Sequence, residues 1–158
     1  MTVVAALVTR DGCWMGADSL ASDNDLRADS SAPKVFAYPN FLMGFAGSYG
    51  PVQAFAQELR RDPGLTVRRV ARDFAPPGRD CFLLFADPQG VYEFTPDGGL
   101  IKMKPRRGVS YGAVGTGTGP ALGSLFSWHD GRESLLSALA AAEAHTNRVR
   151  RPFRVVSL

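Results

Sequence analysis

Apolar positions along this chain follow two rhythms, and the switch between them separates strand-rich from helix-rich stretches. Residues 3–9 and 13–17 are apolar, β-prone runs joined by Arg10-Asp11-Gly12, a short hairpin turn in which Gly12 accepts a positive φ. Residues 34–37 and 41–46 form the next two predicted strands, turned by Tyr38-Pro39-Asn40. Between these pairs, residues 19–33 are polar, with four Ser and four Asp or Arg residues, and are expected to form a loop on the rim of whatever Asp18 borders. Four strands thus precede any helix.

The rhythm changes after Gly47. Pro51 suits the first turn of a helix, and Val52, Phe55, Ala56 and Leu59 then recur on one face to about residue 60, where Asp62-Pro63-Gly64 stops it. A second, short helix over residues 66–74 carries Val67, Val70, Ala71 and Phe74 before Pro76-Pro77-Gly78 breaks the chain. The second half repeats the order. Strands are predicted at 81–86, 91–95, 100–104 and 109–115, with turns at Asp87-Pro88-Gln89-Gly90 and Pro96-Asp97-Gly98-Gly99. Helices follow at 120–128 and 133–146, the latter with Leu135, Leu136, Leu139, Ala142 and Glu143 among good helix formers. Residues 153–156 close as a last strand. Two strand-rich blocks, each followed by two helices, predict an α+β arrangement of two packed sheets with helices on the outer faces.

A length of 158 residues predicts one domain, 1–158, able to bury roughly two-thirds of its unfolded surface without staples. The fractions of 45% hydrophobic and 21% charged residues are those of an ordinary globular chain. A net charge of +3 is mild, and the Arg clusters at 60–61 and 148–151 are not interleaved with aromatics, so nucleic-acid binding is not expected. Cys13 and Cys81 stand alone, with no C-x-x-C and no neighbouring His, which argues against a zinc or dithiol site and for small core residues. Residues 2–8 are apolar but too short for a membrane span and lack a basic n-region; a cytoplasmic protein without a signal peptide is expected.

The candidate chemistry is concentrated at the start. Removal of Met1, usual before a small residue, leaves Thr2 carrying a hydroxyl and a free α-amine on one residue. An α-amine titrates at about 7.7–8.0, so near neutral pH a useful fraction is able to take the hydroxyl proton, whereas an internal Ser or Thr needs a separate base. Asp18 and Lys34 follow at equal intervals, one at the end of an apolar run and one at the start of another, which suggests an ion pair beside the terminus. Gly47 lies where strand gives way to helix, and its N–H is placed to point at an anion. Gly115-Thr116-Gly117-Thr118-Gly119 is not a dinucleotide loop, because position 120 is Pro where G-x-G-x-x-G needs Gly. His129 and His145 sit beside helix-end residues and read as surface or capping histidines.

The stretches Thr2-Val-Val-Ala-Ala-Leu-Val, Gly16-Ala-Asp-Ser-Leu-Ala-Ser22, Lys34-Val-Phe and Gly44-Phe-Ala-Gly47 together resemble the proteasome β-type and bacterial HslV-type peptidases of the N-terminal-nucleophile hydrolase class. The resemblance covers most of the chain. It implies a four-layer αββα sandwich and a threonine endopeptidase with Thr2 as nucleophile, Asp18 and Lys34 as the active-site carboxylate and lysine, and Gly47 as the oxyanion donor. Thr116 stands where the family carries the Ser of a Gly-Ser-Gly whose hydroxyl contacts the nucleophile's amine. Peptide or unfolded-protein substrates, stacked homo-oligomeric rings of six- or seven-fold symmetry, an AAA+ ATP-driven unfoldase, and the absence of metal or organic cofactor are implied likewise. Two departures stand out. Residues 143–148 lack the acidic residue that proteasome subunits carry beside the terminal amine and have an HslV-like Thr146-Asn147 instead, and the segment between Arg60 and Cys81 is shorter than the family's second helix. Two other readings stay open: an inactive ring-forming scaffold on the same fold, and an amidohydrolase of the same class acting on a small amide.

Overall fold

The computed structural model describes residues 2–158 except Asn24, Asp25, Ser30, Ser31 and Trp128. Its main frame is two antiparallel sheets. The first has the order β10-β1-β2-β11, from β1 (Val3–Val8), β2 (Cys13–Ala17), β10 (Ser110–Gly115) and β11 (Arg154–Ser157). The second has the order β5-β6-β7-β8-β9, from β5 (Val35–Ala37), β6 (Leu42–Ala46), β7 (Phe82–Asp87), β8 (Gly90–Phe94) and β9 (Leu100–Lys102). Four helices complete it: α1 (Tyr49–Leu59), α2 (Val67–Asp73), α3 (Thr118–Ser127) and α4 (Gly131–His145).

The layering follows from strand alternation. Along β1, Val3, Ala5 and Leu7 join Leu125, Leu135, Leu139 and Ala142 of α3 and α4, whereas Val4, Ala6 and Val8 join Leu42, Leu84 and Val91 of the opposite sheet. On the second sheet, Met43, Phe45, Leu83 and Phe85 face outward onto Val52, Phe55 and Leu59 of α1 and Val67 and Val70 of α2. The order of layers is therefore helices, sheet, sheet, helices, the four-layer αββα sandwich. Because β1 is covered on both faces, it reads in the sequence as a continuous apolar run instead of an alternating one. Each fully buried Leu or Val in these interfaces contributes about 1.5–3 kcal/mol, so the residue at position 2 is held at the end of a strand buried along its whole length.

The expected helices and strands form with ends displaced by a few residues. Helix α1 holds Pro51 in its first turn as expected, and α3 starts two residues before the expected position, which puts Pro120 in its first turn as well, where a missing N–H costs nothing. Trp128, expected as the last residue of α3, lies outside the described residues, as does Met1. The segment between Arg60 and Cys81 holds only the seven residues of α2. Cys13 and Cys81 are both buried free thiols; burial pushes Cys13 up to about 12.

One expectation is overturned. Residues 19–33 do not form a plain loop: β3 (Leu20–Asp23) and β4 (Leu26–Asp29) pair antiparallel as a separate two-stranded sheet, with Leu20 opposite Asp29 and Asp23 opposite Leu26. These strands are four residues each and carry Asp, Ser and Arg, which are poor in β-propensity, so composition hid them. The pairing itself comes from chain reversal between Asp18 and Lys34, which it brings within reach of each other.

Candidate active site

Three strand ends meet at Thr2. Thr2 precedes the central strand β1, Asp18 follows its neighbour β2, and Lys34 precedes β5 at the edge of the second sheet. Antiparallel pairing of β1 with β2 sets Val4 opposite Ala17, so the residues one step outward, Val3 and Asp18, stand side by side. Asp18 N–H donates to the Val3 carbonyl at 3.3 Å, and the Val3 N–H donates to Asp18 Oδ1 at 3.1 Å. Sixteen residues of sequence are thereby folded into direct contact. Lys34 is fixed by its own carbonyl, which accepts from the Phe45 N–H at 3.1 Å.

The side chains converge on the Thr2 hydroxyl. Thr2 Oγ1 donates to Asp18 Oδ1 at 2.7 Å and accepts from Lys34 Nζ. Lys34 Nζ also lies 3.0 Å from Asp18 Oδ1 and donates to the Leu20 carbonyl. The second carboxylate oxygen of Asp18 accepts from the Leu20 N–H at 3.2 Å. Thr2 and Asp18 are buried, and the Lys34 side chain is 10% exposed. Burial pushes the Lys34 ammonium below the ordinary lysine range, while the Asp18 charge and its hydrogen bond pull it back up. A cation held against a hydroxyl favours loss of the hydroxyl proton, so this arrangement lowers the cost of generating an alkoxide at Thr2.

The other face of Thr2 is closed by the end of β10. Val3 pairs with Gly115, and the Thr116 hydroxyl donates to the Thr2 carbonyl at 3.2 Å. Gly115 has φ +98°, and a Cβ there would stand 2.2 Å from the Thr2 carbonyl oxygen; a Cβ on Gly117 would stand 2.8 Å from the Cβ atoms of Val3 and Ala142. The Gly-Thr-Gly stretch is therefore a packing requirement for chain passing directly against Thr2 and Val3. Gly47, at φ +129° between β6 and α1, leaves room for the Asp80 carbonyl, 2.0 Å from where its Cβ would be. Ser48 caps α1 without a side-chain bond, and no acidic residue occupies the first turn, so the positive end of the helix is left open beside Gly47.

All five predicted site residues are thus gathered. Thr2, Asp18 and Lys34 bond to one another, Thr116 bonds to the Thr2 backbone, and Gly47 shares with Thr2 and Thr116 the wall of an open pocket of about 540 Å³. The same pocket takes in Asp80, Phe82 and Glu93, which sequence reasoning missed. Glu93 sits mid-strand in β8 with no local motif; its only signal is its position opposite Leu84, which places it on the face between the sheets. The histidines lie elsewhere. His129 stacks on Tyr111 at 5.7 Å between ring centroids, and Tyr111 pairs with Leu7, five residues or about 16 Å along β1 from Thr2. His145 is exposed in the last turn of α4.

No family model matches the sequence, and no curated protein is significantly similar to it in sequence. Solved structures are similar to it over nearly the whole chain. HslV from Trypanosoma brucei superposes with a TM-score of 0.81 at 18% identity, over 99% of this chain and 98% of that one. The chain has an HslV-like fold. Thiobacillus denitrificans BPH gives 0.76 at 14% identity over 99% and 97% of the two chains, and a structure of it in complex with epoxomicin gives the same score at 12%. A (Gly-1) mutant of Anbu from Hyphomicrobium sp. strain MC1 gives 0.76 at 16%, over 100% of this chain and 81% of that one. At these identities the likeness establishes the HslV-like fold, and any chemistry rests on the residues described above. Among the described residues no helix is long and apolar enough to cross a membrane.

Proposed function

We propose that this chain is a threonine peptidase in which Thr2, freed by removal of Met1, is the nucleophile. The observation that carries the reading is the buried contact of one hydroxyl with both an ammonium and a carboxylate, at the residue that becomes the chain end. The α-amine of Thr2 takes the hydroxyl proton as Oγ1 attacks the peptide carbonyl carbon. Lys34 remains protonated and steadies the developing charge on Oγ1, while Asp18 holds Lys34 and orients Thr2 through Oδ1. The Gly47 N–H receives the oxyanion of the tetrahedral intermediate. Collapse transfers the proton from the α-amine to the departing amine and leaves an ester on Thr2. Water, deprotonated by the same amine, then attacks the ester, releasing the carboxylic acid and restoring the hydroxyl. Thr116, through the Thr2 carbonyl, keeps the residue from rotating during both steps.

Structural likeness to an epoxomicin complex supports a peptide-binding cleft, since epoxomicin is a peptide epoxyketone. We further propose a cytoplasmic homo-oligomer of stacked rings that receives unfolded protein from an AAA+ ATPase; the HslV-like fold supports this, and exposed Ile101 and Phe126 offer apolar contact outside the core. The test is incubation of purified protein with a β-lactone or epoxyketone, followed by intact-mass and peptide mapping. One equivalent is expected on Thr2, with hydrolysis of unstructured peptides abolished in Thr2→Ala and partly retained in Thr2→Ser. Undiminished turnover by Thr2→Ala refutes the assignment, and turnover of small amides with none of peptides selects the amidohydrolase reading.

A further inference from the structure

The pocket beside Thr2 contains charge that the proposed peptide hydrolysis does not use. Its inner walls come from the ends of β6 and β10, Ala46 and Val114 among them, and Phe82 stands at its mouth, 44% exposed. Into this space, whose neutral polar side chains are Thr2, Thr116 and Thr118, comes Glu93, half-buried on the inter-sheet face of β8 across from Leu84, with exposed Asp80 at the rim. No lysine or arginine contributes to the pocket wall, and among the described residues the Glu93 carboxylate has no ion pair or hydrogen bond, the residue's own pairing being that of its backbone with β7 and β9. Lys34, the cation nearest in the site, is occupied by Asp18, Thr2 and the Leu20 carbonyl. Withdrawing a carboxylate from water without a partner is unfavourable unless a bound group supplies the opposite charge. A cationic substrate side chain entering alongside the Thr2 hydroxyl supplies that charge where it is needed.

Resting on the peptidase reading, we infer that Glu93 is a specificity-determining residue, and that this pocket takes a lysine or arginine side chain from a residue flanking the scissile bond. The volume accommodates such a side chain in extended form. Its methylene stem packs along Ala46 and Val114 and against the Phe82 ring at the mouth, and the charged head reaches Glu93. Asp80 at the rim draws cationic substrates in and repels acidic ones.

The test uses internally quenched peptides that differ at one flanking residue, carrying Lys, its neutral near-isostere norleucine, or Glu, on each side of the scissile bond in turn. For one flank, kcat/KM for Lys is expected to exceed that for norleucine by on the order of tenfold, with Glu lower still. Glu93→Gln is expected to bring the Lys-to-norleucine ratio near unity, and Glu93→Lys to invert the Lys-to-Glu preference; ratios within one variant are insensitive to how much of it folds. A β-lactone labelling assay on wild-type protein runs in parallel. Labelled Thr2 with equal turnover of the three peptides on both flanks, or a Lys preference that survives in Glu93→Gln and Glu93→Lys, overturns the role of Glu93 while the peptidase stands. Absence of both Thr2 labelling and peptide turnover overturns the peptidase reading and this inference with it.

Discussion

Whether Lys34 serves the chemistry or merely neutralises a buried carboxylate is decided by a double-mutant cycle of Asp18→Asn and Lys34→Met. Asp18 collects four donors: the Thr2 hydroxyl, the Val3 and Leu20 N–H groups and Lys34 Nζ. Lys34→Met removes one of them, leaves three, and abolishes the burial cost that holds the Lys34 pKa down. Breaking a buried pair from one side costs about 3–5 kcal/mol; with three donors still on Asp18 and the lysine's own desolvation relieved, about 1–2 kcal/mol is expected here. Asp18→Asn is worse. It strips the counter-charge from an ammonium only 10% exposed and turns an amide N–H toward the Leu20 N–H, a donor facing a donor, so the full 3–5 kcal/mol range of about that size applies. The double variant should be less destabilised than the sum by at least about 1 kcal/mol, as contacting residues are. Urea titrations followed by circular dichroism give these values, while peptide turnover gives the other axis. Lys34→Met should lose on the order of 10²-fold or more in kcat, and Lys34→Arg should not restore it, because a planar guanidinium replaces a compact ammonium. Equal stability losses in the single variants, additivity within about 0.5 kcal/mol, or near-normal turnover by Lys34→Met would refute the reasoning.

Gly115→Ala places a Cβ 2.2 Å from the Thr2 carbonyl oxygen at φ +98°, and since the obstacle is backbone, the cost should be at least about 2–3 kcal/mol with Thr2 displaced. A melting temperature and β-lactone labelling rate unchanged from wild type would contradict that placement. Because burial holds Lys34 below the ordinary value of about 10.4, the alkaline limb of the labelling rate should fall below that pH. Over the same window the unfolded chain binds more protons than the folded one, so wild type should gain stability relative to Lys34→Met as pH rises from the lowered pKa toward about 10.4; parallel urea midpoints across that range would exclude a depressed Lys34.

How much of this was legible in the sequence depended on range. The apolar run of β1, the apolar face of α1 and the order of the helices and of the strands other than β3 and β4 are local patterns, and each was visible. The Thr2, Asp18 and Lys34 set was legible because antiparallel neighbours bring regularly spaced strand ends together and because the motifs around them resemble a known family. The order of the blocks predicted two packed sheets under outer helices, but the topology required that resemblance, since periodicity shows that a helix has an apolar face and not which sheet it covers. The β3–β4 hairpin was hidden by polar strands whose order comes from pairing with each other, and Glu93 by the fact that pocket membership joins five separate segments of chain. Gly115 and Gly117 were seen as a motif but not as clearance for the Thr2 carbonyl and Val3, which only the crossing of β10 and α4 over β1 explains.

The contacts that hold Thr2 bear on the processing step that the proposed mechanism requires. Its hydroxyl is held by Asp18 and Lys34, its carbonyl by Thr116, and the next residue by Asp18 and by pairing with β10, in a strand covered on both faces. None of these contacts uses the Thr2 nitrogen. In the proposed mechanism, cleavage of the Met1–Thr2 bond changes the charge and basicity of that nitrogen and leaves each of these contacts in place. The geometry around Oγ1 is built before the base exists, and removal of one residue supplies the base next to a hydroxyl already in position. In these terms the cost of positioning Thr2 is met during folding, by burial of β1 and the Asp18 network, and the chain end contributes only its lone pair.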